Sequence, residues 1–113
     1  MKIYHNPRCS KSRQSLALIQ DAGYDVEIVE YLINPPSLEE LTEIIRKLDI
    51  SAERLIRKKE SLYKELGLDT QTLSEEQWVQ VLCDNPKLIE RPIVIKGDQA
   101  VIGRPPELIQ PLL

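Results

Sequence analysis

Two pairs of strand-forming segments, one pair at each end of a 113-residue chain, restrict the fold more than any other feature. Lys2–His5 reads as a short strand broken by Asn6-Pro7. Residues 25–32 alternate and carry the β-branched Val26, Ile28 and Val29, which predicts a second strand. At the other end Pro92-Ile93-Val94-Ile95 and Ala100-Val101-Ile102, joined through Lys96-Gly97-Asp98-Gln99, read as a β-hairpin. The helices fall around and between these pairs. One is predicted from just after Cys9 to a C-cap at Gly23, with Leu16, Ala17 and Ile19 facing inward. After the Asn34-Pro35-Pro36 turn, Ser37 and Glu40 have the form of a capping box. The helix they open sets Leu41, Ile44, Ile45 and Leu48 at helical spacing. Short helical pieces are expected over 52–57 and 60–66, the second closed by Gly67. Ser74 and Gln77 repeat the capping box, opening a helix through Trp78 and Leu82 that stops before Pro86. Pro105-Pro106 opens a last short helix that runs to Leu113.

The order is therefore βαβ, a helical insertion, then ββα. A parallel unit with a crossover helix followed by an antiparallel hairpin backed by a helix is an α/β thioredoxin-like mixed sheet. The insertion between the halves sets it apart from a plain thioredoxin. The length suits one domain over 1–113, large enough to bury a core without disulfides or a metal. At 42% hydrophobic and 29% charged residues, the composition is that of a soluble globular protein. No apolar run approaches the roughly 20 residues of a membrane-spanning helix. The first residues lack the apolar stretch of a secretory signal, so the expected location is cytoplasmic. A formal net charge of −3 points to no nucleic-acid or membrane partner, and a monomer is the default.

Cys9 is the residue with chemistry. It lies between a strand and a helix, where a sulfur meets the unpaired N–H groups and positive dipole end of the helix. His5, Arg8, Lys11 and Arg13 crowd around it, adding positive charge or hydrogen-bond donors. Such surroundings favour a thiolate or a bound oxyanion. Cys83, beside Leu82 and one turn from Val79, reads instead as a core or half-buried thiol. Ser12 stands three residues after Cys9, so there is no C-x-x-C pair and no internal resolving thiol. An adduct on Cys9 then needs an outside thiol such as glutathione. The nearest downstream arginine is four residues on, which is not the spacing of a tyrosine-phosphatase-type loop. One histidine and two distant cysteines make a closed zinc site untenable, so no metal is expected. Positive charge recurs at Arg57-Lys58-Lys59, Arg91 and Arg104, a distribution that suits a small anion. Each of these arginines, taken singly, also fits a solvated surface position. Arg91 and Arg104 flank the hairpin, which brings both to its Cys9 side.

The stretch Ile3-Tyr4-His5-Asn6-Pro7-Arg8-Cys9-Ser10-Lys11-Ser12-Arg13 resembles the active-site motif of glutathione/glutaredoxin-linked arsenate reductases. The resemblance continues through Tyr31-Leu32, Asn34-Pro35-Pro36, Leu55-Ile56-Arg57-Lys58-Lys59, Leu66-Gly67-Leu68, Asn85-Pro86, Glu90-Arg91-Pro92-Ile93-Val94 and Gly103-Arg104-Pro105. It implies that Cys9 is the nucleophile, that His5 helps keep it ionised, and that Arg57, Arg91 and Arg104 converge on the oxyanion. Arg13 matches a family arginine at the start of the helix, and Ser10, Lys11 and Ser12 are possible supporting residues. The resemblance also implies a cis Arg91–Pro92 bond, no bound cofactor, and glutathione and glutaredoxin as electron donors. Longer family members carry Gly-Thr-Ser where this chain has Ser10-Lys11-Ser12 and extend beyond the last helix, where this sequence stops at Leu113; it looks closer to a short arsenate-reductase-like subgroup. Ser10 replaces a glycine, which matters if that position needs a positive φ. The leading expectation is reduction of arsenate to arsenite. The alternatives are a glutathione-linked thiol oxidoreductase acting on another substrate, and a non-catalytic stress regulator that binds RNA polymerase. Such regulators usually carry a C-x-x-C switch, against which Ser12 argues.

Overall fold

Parallel pairing of Lys2–His5 (β1) with Glu27–Glu30 (β2) is made possible by the intervening helix α1, Ser10–Asp21. A parallel pair needs such a crossover, whereas the antiparallel pair Ile93–Lys96 (β3) and Gln99–Ile102 (β4) needs only the two-residue turn at Gly97-Asp98. Gly97 takes φ +61°, the left-handed conformation that the first position of a type II′ hairpin turn demands. Strand β3 also pairs antiparallel with β1, giving the sheet order β2-β1-β3-β4. This computed structural model describes residues 1–113 and has the expected thioredoxin-like mixed topology.

The chain divides into two compact units, Met1–Pro35 with Arg91–Leu113, and Pro36–Glu90. In the first, the core is Ile3, Ile19, Val94, Ile109 and Leu112, drawn from β1, α1, β3 and the C-terminal 3-10 helix Pro106–Leu112. The inward face of α1 differs from expectation. Ser12, Ser15 and Ile19 are buried, Leu16 is half-buried and Ala17 is exposed. Small hydroxyl side chains face inward because their oxygens find partners there, as described below. Helix α1 ends at Asp21, just before Gly23 (φ +86°), and β2 is shorter than the alternating stretch 25–32. The N–H groups of Ile33 and Asn34 both donate to the Glu30 carbonyl, turning the chain away from the sheet.

In the second unit, α2 (Leu38–Leu48) and α4 (Glu75–Asp84) each begin with a complete capping box, at Ser37/Glu40 and Ser74/Gln77. Helix α2 buries Leu41, Ile44 and Ile45, and α4 buries Trp78, Val79 and Leu82. The short helical pieces are the 3-10 turn Ala52–Leu55 and helix α3, Ser61–Glu65. Two further 3-10 turns, Leu68–Thr70 and Pro86–Leu88, were not expected from the sequence. Cys83 is half-buried on α4, with its Sγ 3.9 Å from the Pro36 carbonyl oxygen, and burial raises its pKa. No helix is long and apolar enough to cross a membrane.

Candidate active site

Strand register decides which residues meet. Tyr4 pairs with Ile93, and Ile93 pairs with Ile102. The end of β1, the start of β3 and the end of β4 therefore lie at one edge of the sheet. The loop carrying Cys9 leaves from the first, Arg91-Pro92 leads into the second, and Gly103-Arg104 follows the third.

Cys9 is the N-cap residue of α1, with extended backbone (φ −94°, ψ 123°), and its sulfur makes no capping hydrogen bond. The side chain is buried, 8% exposed. No acidic residue occupies the first turn of α1, so nothing there competes with an anion for the helix N–H groups. Arg104 reaches across 95 positions of sequence to place Nη1 3.7 Å from Cys9 Sγ. A guanidinium this close presents a charged, planar set of donors beside the sulfur.

The loop is held by its own side chains. Asn6 Oδ1 accepts from the Arg8 N–H at 3.0 Å, and the Cys9 N–H donates to the Asn6 carbonyl at 3.0 Å. Arg13 donates from Nη1 to the Pro7 carbonyl at 2.8 Å, which ties the helix back to the loop. Ser12 is fully buried; its Oγ accepts the Asn6 N–H at 3.0 Å and lies 2.6 Å from His5 Nδ1. Ser12 thus holds the histidine and the loop backbone together. His5 is itself buried, and desolvation lowers its pKa below 6.5, with Arg13 lowering it further and Glu30 opposing. Its ring is neutral at neutral pH, so His5 contributes hydrogen bonding and not the positive charge that the sequence left open. Ser10 opens α1 and has no positive φ, so replacing glycine there strains nothing. Lys11 is half-buried in the first turn of α1.

The Arg91–Pro92 bond, expected to be cis, is cis, and so is Arg104–Pro105. The second cis bond carries no sequence signal beyond the arginine-proline pair. Arg91 is half-buried. Gly103 is what lets the turn before Arg104 close. A Cβ there would stand 2.5 Å from Ser15 Oγ, 3.0 Å from Pro92 Cγ and 3.3 Å from Ile109 Cγ2. The Gly103 N–H donates to the Pro92 carbonyl at 2.9 Å, and Ser15 Oγ donates to the Gly103 carbonyl at 3.4 Å.

Arg57 belongs to the second unit. There its Nη1 is 2.8 Å from Glu60 Oε2 and its Nε 3.7 Å from Glu90 Oε1, while Lys87 Nζ approaches Glu60 Oε1 at 3.4 Å. Glu60 and Glu90 hold the guanidinium, and sequence reasoning missed both. The i,i+3 spacing of Arg57 and Glu60 was a signal for the first.

A model of the ArsC family matches residues 4–112. The uncharacterized protein YfgD of Escherichia coli (strain K12) is 51% identical over 110 residues, covering 96% of this chain and 92% of that protein. A protein named arsenate reductase from Neisseria meningitidis (serogroup A) is 46% identical over 114 residues, covering 100% and 97%. The solved structure of an arsenate reductase from Vibrio cholerae superposes with a TM-score of 0.94 at 44% identity, covering 100% of this chain and 98% of that one.

Proposed function

Because the chain belongs to the ArsC family, we propose that it reduces arsenate to arsenite, with Cys9 as nucleophile and glutathione and glutaredoxin as electron donors. The observation that carries this reading is the Arg104 guanidinium 3.7 Å from a Cys9 sulfur that caps a helix and makes no capping bond. A thiolate about 4 Å from a singly charged arsenate is repelled by about 4 kcal/mol at an effective dielectric of 20. Arg104 and Arg91 offset that repulsion at the reacting centre. The resemblance also implies Arg57 as a third oxyanion ligand; in its own unit its guanidinium is held by Glu60 and Glu90.

The chemistry balances with one protein thiol. Cys9 bonds to arsenic(V) as one oxygen leaves as water. Glutathione bonds to the same arsenic with loss of a second water. A glutaredoxin thiolate then attacks the glutathione sulfur, and the electron pair of the arsenic–sulfur bond stays on arsenic, which becomes arsenic(III). Glutathione leaves as a mixed disulfide with glutaredoxin. Water displaces Cys9 from arsenic(III), releasing arsenite and the free thiol. Neutral His5 assists by hydrogen bonding, held in place by Ser12. The reducing cytoplasm, where glutathione is plentiful, is the compartment that suits this cycle.

The test is arsenite formation from arsenate with glutathione, glutaredoxin and a recycling system. Cys9→Ser should abolish it and Cys83→Ser should leave it intact. Rapid deglutathionylation of a mixed disulfide without arsenite would reassign the site to a glutathione-linked thiol oxidoreductase. Co-purification with RNA polymerase, with no turnover, would favour the regulatory alternative.

A further inference from the structure

We propose that Lys11 is a specificity-determining residue of the Cys9 site, whose ammonium favours doubly charged over singly charged tetrahedral oxyanions. Carboxylates near the start of a helix and cations near its end complement the helix macrodipole. Helix α2 follows that rule, with Glu39 and Glu40 in its first turn and Arg46 and Lys47 in its last, and α4 begins with Glu75 and Glu76. Helix α1 inverts it. Its first turn holds Lys11 and no acidic residue, while Asp21, its one carboxylate, closes the helix. Lys11 is half-buried and makes no ion pair. Arg13, the other cation of α1, is occupied by the Pro7 carbonyl. A lysine kept where the helix disfavours it, with no carboxylate of the chain to offset the cost, is accounted for by an anion brought from outside.

The placement of Lys11 agrees with that role. Ser15 lies one turn further on the same face of α1, and its hydroxyl donates to the Gly103 carbonyl at 3.4 Å. Lys11 therefore stands on the side of α1 from which the Gly103-Arg104 turn approaches, and Arg104 Nη1 ends 3.7 Å from Cys9 Sγ. Helical side chains lean toward the N-terminus of their helix. That lean carries the ammonium back toward the unpaired N–H groups of the first turn. Lys11 is two positions from Cys9, and residues two apart do not face each other on a helix. Its charge thus acts on an anion beside Cys9 through space and not by contact. Such an arrangement selects for charge more than for shape. Coulomb energy scales with the product of the charges, so a second charge on the anion doubles the gain from Lys11.

This inference rests on the reading of the Cys9 site as one that takes an oxyanion, and its test is chosen to separate it from arsenate reduction. The isotope-labelled full chain is titrated at one pH and fixed ionic strength with sulfate and with perchlorate, tetrahedral anions that are doubly and singly charged. Saturable shifts of the backbone amides of Ser10, Lys11 and Ser12 are expected. Lys11→Met keeps the apolar stem and removes the charge. It should weaken perchlorate binding about threefold, equivalent to about 0.65 kcal/mol, and sulfate binding about ninefold. Lys11→Arg should restore both. The urea midpoint of Lys11→Met should equal or exceed that of the wild type, because a cation is removed from the positive end of a helix dipole. In turnover assays Lys11→Met should raise KM for arsenate more than it lowers kcat. Absence of saturable shifts, equal weakening of the two anions, wild-type affinity in Lys11→Met, or a lowered urea midpoint overturns the proposal. Charge-dependent weakening without arsenite formation would sink the reductase reading and leave the role of Lys11 standing. Arsenite formation with an unaltered arsenate KM in Lys11→Met would do the reverse.

Discussion

Gly103→Ala is the smallest change that tests how the site is built. Ordinary van der Waals contact begins near 3.4 Å, so the 2.5 Å from the new Cβ to Ser15 Oγ is short by about 0.9 Å, and the 3.0 Å to Pro92 Cγ is short by about 0.4 Å. Ser15 is fully buried in α1 and Pro92 is buried at the start of β3, so neither can swing into solvent. Overpacking of this kind costs typically 1–3 kcal/mol. Gly103 does not have a positive φ, so alanine meets no backbone penalty there. Its stiffer unfolded chain returns roughly 0.4–1 kcal/mol. The net expectation is destabilisation by about 1–2 kcal/mol, read as a lowered urea midpoint with an unchanged slope. Because Arg104 follows directly, the displaced turn should also move its guanidinium off Cys9 and raise KM for arsenate. Ser15→Ala removes the closest atom, at the expense of a hydrogen bond worth about 1 kcal/mol. The double variant should therefore be more stable than the sum of the single effects by about 1 kcal/mol. A wild-type midpoint for Gly103→Ala, or strict additivity with Ser15→Ala, would refute the argument that this contact sets the turn.

Ser12→Ala strips partners from the Asn6 N–H and the His5 ring inside a fully buried site, and should cost about 1–3 kcal/mol in urea unfolding; an unchanged midpoint would show that neither bond matters. His5, the single histidine, should titrate below 6.5 when its ring proton shifts are followed by NMR. Its folded pKa is lower than its unfolded one, so the unfolded chain binds more protons as pH falls through 6.5. Its contribution to stability is therefore complete above that pH and is lost progressively below it, and His5→Gln should flatten this slope.

Local signals were legible and tertiary ones were not. Both capping boxes form because Ser37/Glu40 and Ser74/Gln77 satisfy helix N–H groups using only residues three apart. The hairpin is set by Gly97 and the β-branched residues around it. By contrast, the inward face of α1 follows hydrogen-bond partners supplied from elsewhere: Ser12 serves His5 and Asn6, and Ser15 serves the carbonyl of Gly103. Hydrophobic periodicity cannot register a buried hydroxyl, which is why Ala17 was misplaced. Within the candidate site, Cys9 could be singled out from its neighbours in sequence. Its contact with Arg104 could be anticipated only as far as the hairpin brings that end of the chain back. The carboxylates on Arg57 were missed because a basic run, Arg57-Lys58-Lys59, masks them when charges are read along the chain.

The 95 positions between Cys9 and Arg104 also have a meaning in time. At roughly 5–20 residues per second of synthesis, the cysteine precedes its arginine by roughly 5–20 s. During that interval a growing chain has the sulfur but not the guanidinium that faces it. The β3–β4 hairpin must be made and must find β1 before the two meet. The contact between the Arg104 guanidinium and the Cys9 sulfur is thus acquired last, and a chain truncated before β4 lacks it.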